Sequence, residues 1–118
     1  MRALPIVAIT TVLVLTTMVA GAADSRTYDR PLESTWDEAI KAVRDADLVV
    51  IDSDRSEHRF TMRTQAWHSH KKGRVIEVEL SGNDLTTTVT ARAADPSEAV
   101  KLAKAIALYF QALDERMN

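Results

Sequence analysis

Apolar and polar residues alternate along three stretches in the second half of the chain. Residues 58 to 67 set Phe60, Met62, Thr64 and Ala66 against Arg59, Thr61, Arg63 and Gln65. Residues 74 to 80 set Ile76, Val78 and Leu80 against Val75, Glu77 and Glu79, and residues 85 to 93 set Leu85, Thr87, Val89, Ala91 and Ala93 against Thr86, Thr88, Thr90 and Arg92. A period of two is that of a strand with one face buried. The polar turns between the stretches, Ser81-Gly82-Asn83-Asp84 being the clearest, imply an antiparallel meander. Leu48 to Ile51 adds a fourth strand, ending in the polar turn Asp52 to Ser56. Thr27 to Arg30 is an optional edge strand stopped by Pro31, preceded by a polar tail at residues 23 to 26.

Two segments change period. Trp36, Ala39, Ile40, Val43 and Ala46 recur at helical spacing behind Thr35-x-x-Glu38, a capping box, which predicts a helix over 35–46. Asp95-Pro96-Ser97-Glu98 combines an N-cap aspartate, a proline at the first helical position and a glutamate completing the box. The helix it opens runs to the C-terminus with Ala99, Leu102, Ile106, Tyr109 or Phe110, Leu113 and Met117 on one face. Val100, Ala103, Ala105, Ala107 and Leu108 widen that face, and the surplus either packs internally, the expected outcome, or meets a partner. The predicted fold is α+β, a four- to five-stranded antiparallel meander with two helices packed on one face, in the order β-α-β-β-β-β-α.

The chain begins differently. Met1-Arg2 precedes a long apolar run from Ala3 that ends in the small-residue triplet Ala20-Gly21-Ala22, the pattern of an export signal with its cleavage site. Residues 1–22 are therefore predicted to be a signal peptide and 23–118 a single domain, periplasmic or secreted; an uncleaved segment of this length would instead anchor the domain to the inner membrane. The 118 residues carry Lys+Arg 15 against Asp+Glu 17, so the net charge of −2 argues against a nucleic-acid partner. Zero cysteines exclude disulfides, thiol nucleophiles and thiolate-bound metals, and three glycines leave no phosphate-cradling loop.

Leu32-x-x-Thr35-Trp36-x-x-Ala39, then Leu48-Val49-Val50 and Ser53-Asp54-Arg55, then the alternating strands and the terminal helix resemble a family of small bacterial envelope lipoproteins of unknown function. More loosely, the chain is similar to the helix-grip domains of the outer-membrane assembly lipoprotein C, and the resemblance covers residues 27–117. The resemblance implies an envelope location and an α+β fold, and brings no catalytic or binding residues with it. Ala22 stands where the family carries its lipidated cysteine, so this chain cannot be lipidated there.

Candidate chemistry gathers around the connection between the first two alternating stretches. Trp67-His68-Ser69-His70-Lys71-Lys72-Gly73-Arg74 sets an aromatic beside three permanent cations, a group able to touch anionic head groups or an acidic protein. His68 and His70 would point to one side of a strand, but no third ligand is near: His58, ten residues back on a continuous strand, lies about 30 Å away. Trp67, His68, His70, Lys71, Lys72 and Arg74, with Arg63 on the neighbouring sheet face, are the candidate interaction residues. Asp52-x-Asp54-x-Ser56 has the opening spacing of a calcium loop, with Glu57 in place of its glycine and Arg63 in place of its bidentate glutamate, and reads as a solvated turn. Arg59, Arg63 and Arg92 interleave with Glu77, Glu79 and threonines on the outward face, which is either an ordinary charged surface or a recognition surface. No nucleophile, base and orienting group occur in a catalytic pattern. The expectation is a non-enzymatic interaction module without cofactor, its partner an unknown envelope protein or an anionic head group with peripheral membrane contact; the alternative is a small-ligand or metal-binding periplasmic protein.

Overall fold

The alternating stretches pair in the order in which they occur. A computed structural model describes residues 23–65 and 74–118. Strands β1 (Asp24–Tyr28), β2 (Leu48–Asp54), β3 (Arg59–Thr64), β4 (Val75–Gly82) and β5 (Thr87–Ala93) form one antiparallel sheet in the order β1-β5-β4-β3-β2. Helices α1 (Leu32–Asp45) and α2 (Ala99–Met117) both cover one face, so the α+β architecture and the meander follow the sequence pattern. Among the described residues no helix is long and apolar enough to cross a membrane. The apolar leader, like Ala66 and Trp67, lies outside the described residues.

The inward residues are those the alternation selects. Phe60, Met62, Ile76, Val78, Leu80, Val89, Ala91 and Ala93 are buried, as are Trp36, Ala39, Ala42 and Val43 of α1 and Leu102, Ile106, Tyr109, Phe110 and Leu113 of α2. Each large side chain fully buried in such a core contributes about 1.5–3 kcal/mol, most of it offset by chain entropy. Aromatic edges organise the centre: Trp36 meets Phe60 at 5.7 Å between centroids, and Phe60 meets Tyr109 at 6.4 Å. The Tyr109 hydroxyl donates to the Ala39 carbonyl (2.9 Å), tying α2 to α1, and burial pushes its phenol above the ordinary tyrosine range.

Several local expectations are corrected. The polar tail is part of β1: Ser25 and Thr27 exchange hydroxyl hydrogen bonds with Thr90 and Thr88 (3.0 and 2.9 Å), while Arg26 and Tyr28 both donate to Asp114 of α2 (2.7 Å each). Polar side chains form this edge because their partners lie on β5 and α2, which local composition does not reveal. Helix α1 starts at Leu32, three residues before the expected capping box. Pro31 occupies the N-cap without a side-chain cap, and Thr35 is buried with its hydroxyl donating to the Pro31 carbonyl at 2.8 Å. The Leu32 N–H is satisfied instead by Asn83 O across the fold (2.9 Å).

Strand β2 does not stop at Ile51 but continues to Asp54, with an irregularity between Val50 and Asp52 that leaves Ile51 46% exposed. The acidic turn shrinks to a 3-10 turn at Arg55–Glu57, closed by His58 in the left-handed region (φ 54°) rather than on a strand. Gly82 belongs to β4; the turn follows at residues 83–86, and a Cβ on Gly82 would overlap the Thr86 carbonyl. Leu85 therefore sits on the turn, 75% exposed, instead of facing the core. Asp95 caps a 3-10 turn at Pro96–Glu98, its carboxylate accepting from the Ser97 N–H (3.0 Å), and Glu98 pairs with Arg74 (3.5 Å) rather than closing a capping box. The surplus apolar residues of α2 do not all pack inward: Val100 is 89% and Leu108 45% exposed, and Ala103 and Ala107 are also open to solvent.

Candidate functional site

The second face of the sheet carries no helix among the described residues, and the same alternation that buries one set of side chains presents the other set there. Register places Asp52 opposite Thr61 and Asp54 opposite Arg59, then Arg59 opposite Glu79 and Thr61 opposite Glu77, then Glu77 opposite Arg92 and Glu79 opposite Thr90. Two rows of charged or hydroxyl-bearing neighbours, Asp54–Arg59–Glu79–Thr90 and Asp52–Thr61–Glu77–Arg92, thus cross β2, β3, β4 and β5. They surround a shallow depression of about 260 Å³ whose walls include Asp52, Arg59, Glu77, Glu79 and Arg92.

The charges on this face are only partly matched. Arg92 Nε donates to Glu77 Oε1 at 3.2 Å, and Arg59 approaches Glu57 at 3.6 Å. Asp54 accepts from the Ser56 hydroxyl (2.7 Å) and the Glu57 N–H (3.3 Å), and those bonds, the hydroxyl first, hold its carboxyl below the usual range. Its oxygens are thus occupied by its own turn, and β2 carries it as a strand residue, so the calcium-loop spacing corresponds to no loop. Asp52, exposed, makes no side-chain hydrogen bond or ion pair among the described residues.

Beside the face, His58 closes a cluster that sequence spacing did not reveal. Its ring meets Glu33 Oε2 at 2.9 Å and stands edge-on to Trp36 at 5.8 Å, while Arg55 donates to Glu33 Oε1 (2.9 Å) and approaches Asp37 (3.3 Å). Hydrogen bonds from His58 and then Arg55 keep the Glu33 carboxyl below its ordinary range. This cluster clamps the 3-10 turn onto the first turn of α1. The signal that could have located it is the left-handed tendency of a histidine following a short polar turn.

Of the residues singled out in the sequence, Arg63 lies on the outward face of β3, next to Val75 of β4. Arg74 immediately precedes β4 and is paired with Glu98. Trp67, His68, His70, Lys71 and Lys72 lie outside the described residues. Among the described residues no three His, Asp or Glu side chains gather in a way that could hold a metal ion. The space between α2 and the sheet, where a ligand enclosed by the fold would have to lie, is filled by Leu102, Ile106, Tyr109, Phe110 and Leu113. A larger groove of about 720 Å³ lies instead beside α1 and β2.

No family model matches this chain, and neither does any curated protein.

Proposed function

We propose that this protein is a non-enzymatic interaction module of the bacterial envelope, exported by its apolar leader, whose open sheet face receives a polar segment of a partner protein. One observation carries the reading: no helix among the described residues covers the second face of the five-stranded sheet, which bears two cross-strand rows of charged and hydroxyl side chains around a shallow depression. Cross-strand pairs on such a surface contribute about 0.2–1 kcal/mol each, so stability alone is weak reason for so ordered an arrangement. Arginines, carboxylates and threonine hydroxyls at fixed register offer donors and acceptors in a pattern that a complementary surface can read. The apolar run ending in Ala20-Gly21-Ala22 supports the envelope location, and the likeness of residues 27–117 to small envelope lipoproteins agrees with it. The basic connection containing Trp67, Lys71 and Lys72 is a second contact in this reading, toward the same partner or anionic head groups.

The test is affinity recovery of the tagged full chain from its native envelope after mild crosslinking, beside Glu77→Lys/Glu79→Lys and Trp67→Ala/Lys71→Glu/Lys72→Glu variants. A stoichiometric partner captured by the wild type and lost from the first variant supports the sheet face. Equal capture by all three proteins, or recovery of the wild type alone, contradicts the reading.

A further inference from the structure

The groove beside α1 and β2 is separate from the outer-face depression and runs along a sheet edge. Among the described residues strand β2 is the edge of the sheet, with β3 its one neighbouring strand. The Thr64 N–H donates to Arg74 O on the β4 side (3.3 Å), so Thr64 turns its backbone groups away from β2 and its pairing with Leu48 is a non-hydrogen-bonded one. By alternation Val49 bonds to Arg63, while the N–H and C=O of Leu48 and of Val50 point outward from the free edge. This stretch lies before the irregularity at Ile51, so the edge there has regular strand geometry.

Natural edges are commonly blunted by a charge, a proline or a covering element. Leu48-Val49-Val50 contains neither charge nor proline, and among the described residues a groove of about 720 Å³ runs along it in place of a covering element. One side of that groove is strand; the other is the flank of α1, where half-buried Ile40 and the exposed Lys41 and Arg44 line it, with Arg116 of α2 beside them. Its acidic neighbour Asp45 is already bound by Arg116, which also reaches Glu38 (3.2 Å), and Asp47 accepts from the Gln65 amide (3.2 Å). Lys41 and Arg44 are thus the charges that the groove turns toward an incoming group.

We propose that this groove binds an extended acidic peptide segment of a partner protein, added to β2 as a sixth strand. Main-chain bonds to Leu48 and Val50 would supply pairing, apolar side chains on the helix-covered face would enter between Ile40 and Val50, and carboxylates would meet Lys41 and Arg44. The site does not depend on the sheet-face reading, because none of these residues lies on the outer-face depression.

The probe is a fluorescent seven-residue peptide alternating valine and glutamate, titrated into the full chain by anisotropy, beside a valine–lysine peptide and a valine–glutamate peptide N-methylated at alternate residues. Saturable binding at least about tenfold tighter for the glutamate peptide than for the lysine peptide is expected, abolished by N-methylation and by Lys41→Glu/Arg44→Glu. Both substituted side chains are exposed, so the variant keeps its fold, which its melting curve verifies. Binding that survives N-methylation, or that ignores the charge reversal, overturns the proposal. So does slow amide exchange of Leu48 and Val50 in the free protein at low concentration, which would mean that this chain already covers the edge. Exchange that slows only as protein concentration rises would assign the edge to a second copy instead.

Discussion

The two faces of the sheet are built from the same five strands and the same alternation, yet they obey different rules. On the inner face nearly every side chain is determined by its neighbours: Val78 is buried between strands and helices, and Tyr109 must both fill space and satisfy a carbonyl. On the outer face the side chains meet mainly each other and solvent, so any residue with strand propensity would serve. Charges alternating in register there are consequently a more informative choice than an apolar residue inside. The edges repeat the contrast. Strand β1 is fastened by Arg26 and Tyr28 to Asp114, and Arg30 just after it to the Met117 carbonyl (2.7 Å), whereas β2 has an apolar stretch beside a groove that no strand covers among the described residues.

The largest effect that would break this comparison is on the inner face. Val78→Asp places an unpaired carboxylate in the centre of the core and is expected to remove more than about 4 kcal/mol, unfolding the domain in a thermal or urea melt. Next, Tyr109→Phe leaves the Ala39 carbonyl without its donor and should cost about 1–3 kcal/mol with the fold preserved. Asp114→Ala releases both Arg26 and Tyr28; their partial exposure limits the loss to about 1 kcal/mol, and faster amide exchange confined to β1 would identify its source.

Acid should weaken the fold gradually. Glu33, Asp45, Asp54 and Asp95 are all held below the ordinary carboxylate range, by His58 and Arg55, by Arg116, by Ser56 and Glu57, and by Ser97. A carboxyl depressed in the folded state binds fewer protons there than in the unfolded chain. Its contribution is therefore complete above the unfolded value and is lost as pH falls through the folded one. The melting temperature should be flat near neutrality and decline below about pH 4.5, in a window set by these carboxylates. The smallest effect belongs to the outer face: Glu77→Lys/Glu79→Lys should change stability by no more than about 1 kcal/mol in a urea melt. A large loss would mean that the charge rows serve the fold itself.

Much of the fold is legible in the sequence because burial and alternation coincide. Phe60, Met62, Ile76, Val78, Leu80, Val89, Ala91 and Ala93 face inward as their spacing requires. The failures have a common cause, which is that tertiary partners override local signals. Thr35 heads a capping box by spacing but is buried beneath Pro31, because Asn83 across the fold satisfies the helix start. Asp24 to Arg26 look like a tail because Asp114 lies far along the chain. Leu85 keeps the alternation but falls beyond the strand, on a turn organised by Asn83 Oδ1, which accepts from the N–H groups of Leu85 and Thr86 (2.8 and 3.1 Å). The outward charges were readable one strand at a time. Their assembly into rows, and the groove beside β2, depend on register and on the placement of α1, which a single strand does not encode.

The most direct test of the central claim puts a photo-crosslinking residue at Thr61 or Thr90 on the outer face, and at Val100 on the exposed face of α2 as comparison, in the full chain within its native envelope. The account predicts one discrete adduct shared by the Thr61 and Thr90 positions and absent or different at Val100. The same adduct from all three positions, or an adduct from Val100 alone, would contradict the assignment of recognition to the open face of the sheet.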